Sequence, residues 1–244
     1  MLLRAVKVEL IKLRRAPIWV VFVALPLLTA VIGTFNYIGN IDILTQQWYS
    51  LWTQHTLFLC YFFLPALIGA TCSYQWRLEH NGKNWNLELS MPMPLWLIFV
   101  SKLIVGAIML FAAMLVIGVL FISSGLLVGL TDPLPPMLPV WLITGWVAGI
   151  SIVSLQLLIS LIVRNFGIPV GIALFGGILG IGVSVQGLGL FWPYSLIQLG
   201  MASNGTQQLA SSDTMLFAIM CAIFIYIPVF IAIWWLTRHD IKTA

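Results

Sequence analysis

Apolar residues run for about twenty positions at a time along this chain, and short polar segments break the runs. A helix needs roughly 20 apolar residues to cross the hydrocarbon of a bilayer. The pattern predicts six such spans, at about 17–37, 56–76, 95–122, 140–163, 168–190 and 215–236. Residues 1–15 follow a different rule. On a helical wheel Leu3, Val6, Leu10 and Leu13 share one face, and Arg4, Lys12 and Arg15 lie on the other side. That is the pattern of a basic amphipathic helix lying in the membrane interface. No small-residue cleavage site closes the first apolar run, so the segment reads as retained rather than as a signal peptide. After the first span come Asn40, Asp42, Gln46 and Gln47, then Trp48, Tyr49 and Trp52, which read as an interfacial aromatic belt. Residues 191–213 leave room for a short interfacial helix. The fold class is therefore all-α integral membrane, six transmembrane helices with an N-terminal amphipathic interfacial helix, in one transmembrane domain over 1–244.

Charge orients this arrangement. Only 7% of the 244 residues are charged, against about 25% in a soluble domain, so lipid must cover the surface. All 11 basic residues fall on one side of the six-span topology: Arg4, Lys7, Lys12, Arg14, Arg15, Arg77, Lys83, Lys102, Arg164, Arg238 and Lys242. The opposite loops hold only Asp42, Asp132 and Asp213. The positive-inside rule places the basic side, and with it both termini, in the cytoplasm. A multi-pass position in a plasma (inner) membrane is the expected location. The basic residues sit beside apolar spans, so the formal charge of +4 does not indicate a nucleic-acid partner.

Catalytic chemistry is sparse. No HExxH, GxSxG or mid-membrane carboxylate pair occurs, which disfavours an intramembrane enzyme. Ion-coupled carriers place ionisable groups at mid-membrane. Here Lys102 lies near a span end, where it is expected to snorkel. His55, His80 and His239 are isolated and read as solvated or interfacial. Cys60, Cys72 and Cys221 lie far apart in apolar runs and read as core residues. No Walker-type GxxxxGK[ST] is present, so any ATP is bound elsewhere. Gln156, Ser151, Ser154 and Ser160 in the fourth span, and Ser184 and Gln186 in the fifth, suit interhelical hydrogen bonds. Gln156, Ser184 and Gln186 are also the candidate path-lining residues. Glycine pairs at 125/129, 145/149 and 176/180 allow close helix approach. The glycine-dense fifth span suits either dense internal packing or a path or subunit interface. Asn204-Gly205-Thr206 matches a glycosylation sequon on the outer side.

The largest cytoplasmic loop, 77–94, mixes Leu78, Trp85, Leu87 and Leu89 with Arg77, Glu79, Lys83 and Glu88. Gly82 allows a turn, and Pro92 and Pro94 set the entry of the next helix. An exposed tryptophan among charges there suits either docking to a partner or a helix lying on the membrane. The amphipathic N-terminal helix, the series Glu79, Trp85, Leu89, Ser90 and Pro92, and then Lys102 together resemble the permeases of type-2 ABC exporters. More narrowly they resemble the permease subunits of lantibiotic (bacteriocin) immunity transporters. The resemblance implies a pore unit of two permeases, identical or paralogous, with two copies of an ABC ATP-binding subunit docked from the cytoplasm. Glu79, Gly82, Trp85, Leu87 and Leu89 would form the ATPase-docking coupling helix. Faces of the second and fifth spans would meet across the dimer and line the path. ATP and Mg would sit on the partner, with no catalytic residue, cofactor or metal on this chain. The cargo implied is an amphipathic peptide taken from the membrane lipid to the outside. Drugs, lipids or polysaccharide are alternative cargoes, and a non-transport sensor or assembly component is the alternative function.

Overall fold

The computed structural model describes residues 1–81, 85, 90, 93–203 and 211–238. Gly82, Lys83, Leu87, Glu88, Leu89 and Pro92, the sequon at 204–206, and His239 and Lys242 lie outside the described residues. The described chain is all-helical. In order it forms α1 (Leu2–Leu13), α2 (Ile18–Gly39), α3 (Gln47–His80), α4 (Trp96–Val128), α5 (Leu138–Ile162), α6 (Gly167–Val185), α7 (Pro193–Gly200) and α8 (Ser211–Arg238). Six of them, α2 to α6 and α8, are long and apolar enough to cross a membrane.

Each spanning helix overlaps one of the six expected spans, with different ends: α4 runs on to Val128, six residues past the expected end, before Gly129 closes it at a φ of 82°. The second helix begins at Gln47 rather than near residue 56, because its aromatics belong to the core. Trp52 is fully buried, stacked on Trp141 at 5.2 Å and edge-on to Phe121 at 5.0 Å. Trp48 is buried too and meets Phe121 at 5.4 Å. Neither forms part of an interfacial belt. The fifth span ends early at Val185, where Gly187 takes a φ of 75°, a conformation open to glycine at little cost. The short helix in the following segment exists as α7. It is not interfacial: Pro193 through Gln198 are all buried, packed mainly on α5 and also on α6.

α3 is the central helix. It buries 72% of its most apolar stretch, whereas α8 buries 22%. It packs on α2, α5 and α6, while α5 packs on α3, α4, α7 and α8. Midway along α3, Pro65 supplies no N–H for the carbonyl four residues back, that of Tyr61. The backbone there makes a π turn over Leu59–Phe63. α1 packs against α4. Its buried face is Val6, Glu9 and Leu13, while Leu3 is 85% exposed and Leu10 39%. The single apolar face expected from the wheel is thus split, half onto protein and half outward, where lipid can cover it.

Candidate functional site

Four charged side chains from three elements meet at the α1 end of the bundle. Glu9 and Lys12 come from α1, Glu79 from the last turn of α3, and Lys102 from the second turn of α4. Lys12 Nζ lies 2.6 Å from Glu9 Oε1 and 2.7 Å from Glu79 Oε1. Lys102 Nζ lies 2.7 Å from Glu9 Oε2 and 2.9 Å from Glu79 Oε1. It also donates to the Gln75 carbonyl at 3.2 Å and sits 4.9 Å from the Trp76 ring centroid. An ammonium has three donors, and Lys102 directs all three at oxygen. The two carboxylates balance the two ammoniums, which is the condition for holding charges out of water.

Lys102 is 0% exposed. It does not snorkel, because acceptors inside the protein satisfy it. Glu79 and Glu9 are buried as well, and only Lys12 reaches the surface. Sequence reasoning passed over Glu9. Its signal was an acid at the 3- and 4-residue spacing from Val6 and Leu13, on the face that turns inward.

Beside the cluster, Trp85 folds back on α3. Its ring stacks on Trp76 at 5.5 Å with an interplanar angle of 17°, and it is 3% exposed. Its indole N–H donates to His80 Nδ1 at 3.2 Å, and His80 Nε2 lies 2.9 Å from the Ser160 carbonyl of α5. Indole can only donate, so Nδ1 accepts and Nε2 carries the proton. His80, half-buried, is therefore a structural link between α3 and α5. His55 is buried, with Nε2 3.0 Å from Thr34 Oγ1. The expectation of an exposed Trp85 is likewise corrected: stacking and a hydrogen bond draw it inward. Nearby, Ser73 Oγ donates to the Phe166 carbonyl at 3.0 Å, and Arg77 lies over the Phe166 ring at 5.9 Å. One end of the bundle thus ties together α1, α3, α4, α5 and the start of α6.

The three candidate path-lining residues are not brought together. Gln156 is fully buried, and its Nε2 donates to the Tyr194 hydroxyl of α7 at 2.6 Å. Ser184 pairs with Gln198, also on α7. Gln186 is exposed beyond the end of α6. Ser151 and Ser154 donate to the Cys221 and Ile225 carbonyls of α8, at 3.3 and 2.8 Å, as interhelical bonding predicts. The three cysteines are free and buried. The glycines at 176 and 177 meet Tyr194 and Tyr61 of the same chain, so these two serve internal packing.

A family model described as ABC-2 family transporter protein matches residues 5–180. The match covers α1 through most of α6, and so every member of the charge cluster. No curated protein and no solved structure matches the chain.

Proposed function

Because this chain belongs to the ABC-2 transporter family, it is a membrane permease subunit of an ABC transporter, and we propose that it serves an exporter of amphipathic peptides such as lantibiotics. The family implies an ATP-binding partner subunit. Our reading gives the complex two copies of that ATPase and a second permease, identical or paralogous. ATP and Mg are held by the ATPase. Both termini face the cytoplasm of a bacterial plasma membrane.

One observation carries the coupling role. The cluster Glu9–Lys12–Glu79–Lys102 fastens α1, α3 and α4 together at the connection between α3 and α4. A push delivered there reaches three helices as one body. Glu79 and Trp85 act in this reading as anchors on the inner side of the docking segment. Gly82, Leu87 and Leu89, which lie outside the described residues, are the proposed contact side. ATP-driven closure of the ATPase pair then shifts the permeases between inward- and outward-open states.

The test is Trp85→Ala, co-expressed with the ATP-binding subunit. The variant is expected to elute as a single folded species, to retain less ATPase on an affinity column, and to lose peptide-stimulated ATP hydrolysis. Undiminished association and stimulation would remove the docking assignment. Stimulation by hydrophobic drugs alone, with no response to any lantibiotic, would remove the peptide cargo and leave the permease intact.

A further inference from the structure

At the end of the bundle remote from the charge cluster, the loop after α4 is held against the start of α3. Gln47 Oε1 accepts from the backbone N–H groups of Thr131 at 3.1 Å and Asp132 at 3.0 Å. The Trp48 indole N–H donates to the Asp132 carbonyl at 2.7 Å. Gln47 does this from a φ of 36°, a left-handed conformation that non-glycine residues rarely adopt and that is found where the surroundings enforce it. Three hydrogen bonds and one strained residue therefore fix where Asp132 stands.

Beside this clamp lies a solvent-open cavity of about 180 Å3, lined by Trp48, Tyr49, Asp132, Pro133, Pro135 and Pro136 among others. It falls below the roughly 300 Å3 at which drug-sized pockets begin, so it suits one side chain or headgroup. Leu134 completes the apolar part of its lining, and Gln46 and Asp132 are its polar members. Asp132 is exposed, and its carboxylate makes no hydrogen bond or ion pair among the described residues. The loops and helix ends on this side carry Asp42, Asp132 and Asp213 and no lysine or arginine. An unpaired carboxylate beside Trp48 and Tyr49, at an end without lysine or arginine, favours cations.

We propose that the cavity between Tyr49 and Asp132 is a binding site for a primary ammonium or guanidinium group on a short apolar stem. A peptide side chain and an amine lipid headgroup both carry that chemistry. The site does not depend on which cargo the transporter moves.

The test uses full-length protein labelled with 3-fluorotyrosine in phosphatidylglycerol nanodiscs. Comparison with Tyr49→Phe assigns the Tyr49 fluorine resonance. Titration with n-butylammonium and n-butylguanidinium is expected to shift that resonance saturably, while n-butanol does not. Asp132→Asn is expected to weaken binding about fivefold, the upper range for an exposed ion pair, with the other tyrosine resonances unmoved. Asp42→Asn is expected to leave the affinity unchanged. A Tyr49 resonance already at its bound position in phosphatidylethanolamine discs would identify the lipid headgroup as occupant. The proposal is overturned by an absent or unsaturable shift, by an equal response to butanol, or by equal weakening in Asp42→Asn.

Discussion

Lys102 shows how a single residue depends on its partners. An ammonium taken wholly out of water costs several kcal/mol even after relaxation. Here two carboxylates, a backbone carbonyl and the Trp76 ring offset that cost. Replacing Lys102 by Met leaves two carboxylates facing one ammonium. The expected loss is about 3–5 kcal/mol, as for other broken buried pairs, read as a lowered unfolding midpoint in detergent. Pairing Lys102→Met with Glu79→Gln restores charge balance and is expected to recover most of that loss. If the double variant is as unstable as the sum of the two singles, the four groups do not act as a unit. The sequence made Lys102 visible as a charge near a span end. It could not show that its acceptors lie 93 and 23 positions away in Glu9 and Glu79. Such long-range pairing is decided by how α1 and α3 pack on α4, and no local pattern encodes it.

Between elements, the contact of α3 with α6 is set by backbone. The π turn at Leu59–Phe63 brings the Tyr61 carbonyl against Gly177, where an added Cβ would collide with that oxygen and touch the Pro65 ring at 3.0 Å. Backbone cannot swing aside as a flexible side chain can. Gly177→Ala is expected to push α6 away from α3 and cost about 1–3 kcal/mol, in the range of core overpacking. Gly171→Ala on the same helix meets open space, and is expected to leave stability equal or slightly raised, since alanine favours helix over glycine. Thermal unfolding of the two variants side by side checks this, and equal destabilisation would refute it. The spans were legible because a run of some twenty apolar residues has few other uses. Their ends were less so: Trp48 and Trp52 have the composition of an interfacial belt, and only the packing of Phe121 and Trp141 makes them core. α7 was legible as a short helix but not as a buried one. Its Tyr194 and Gln198 enter the interior because Gln156 and Ser184 on neighbouring helices are there to meet them.

At the scale of the whole molecule, charge and topology agree. The described basic residues of the loops and helix ends gather where α1 meets the ends of α3 and α5, while Asp42 and Asp132 lie at the opposite end. Lysine and arginine near short loops resist translocation, so the two ends are not equivalent in a membrane. This gives an expected orientation, with the basic end inside, and the ATPase would then dock at that face. In a chain with Cys60, Cys72 and Cys221 replaced by alanine, Asn40→Cys and Arg14→Cys place one exposed thiol at each end. A membrane-impermeant maleimide added to intact cells is expected to label Asn40→Cys at once, and Arg14→Cys only after permeabilisation. The reverse result would put the charge cluster outside the cell, beyond the reach of any ATP-binding subunit. The coupling role of Glu79 and Trp85 would fall with it, while membership of the family and the six spans would stand.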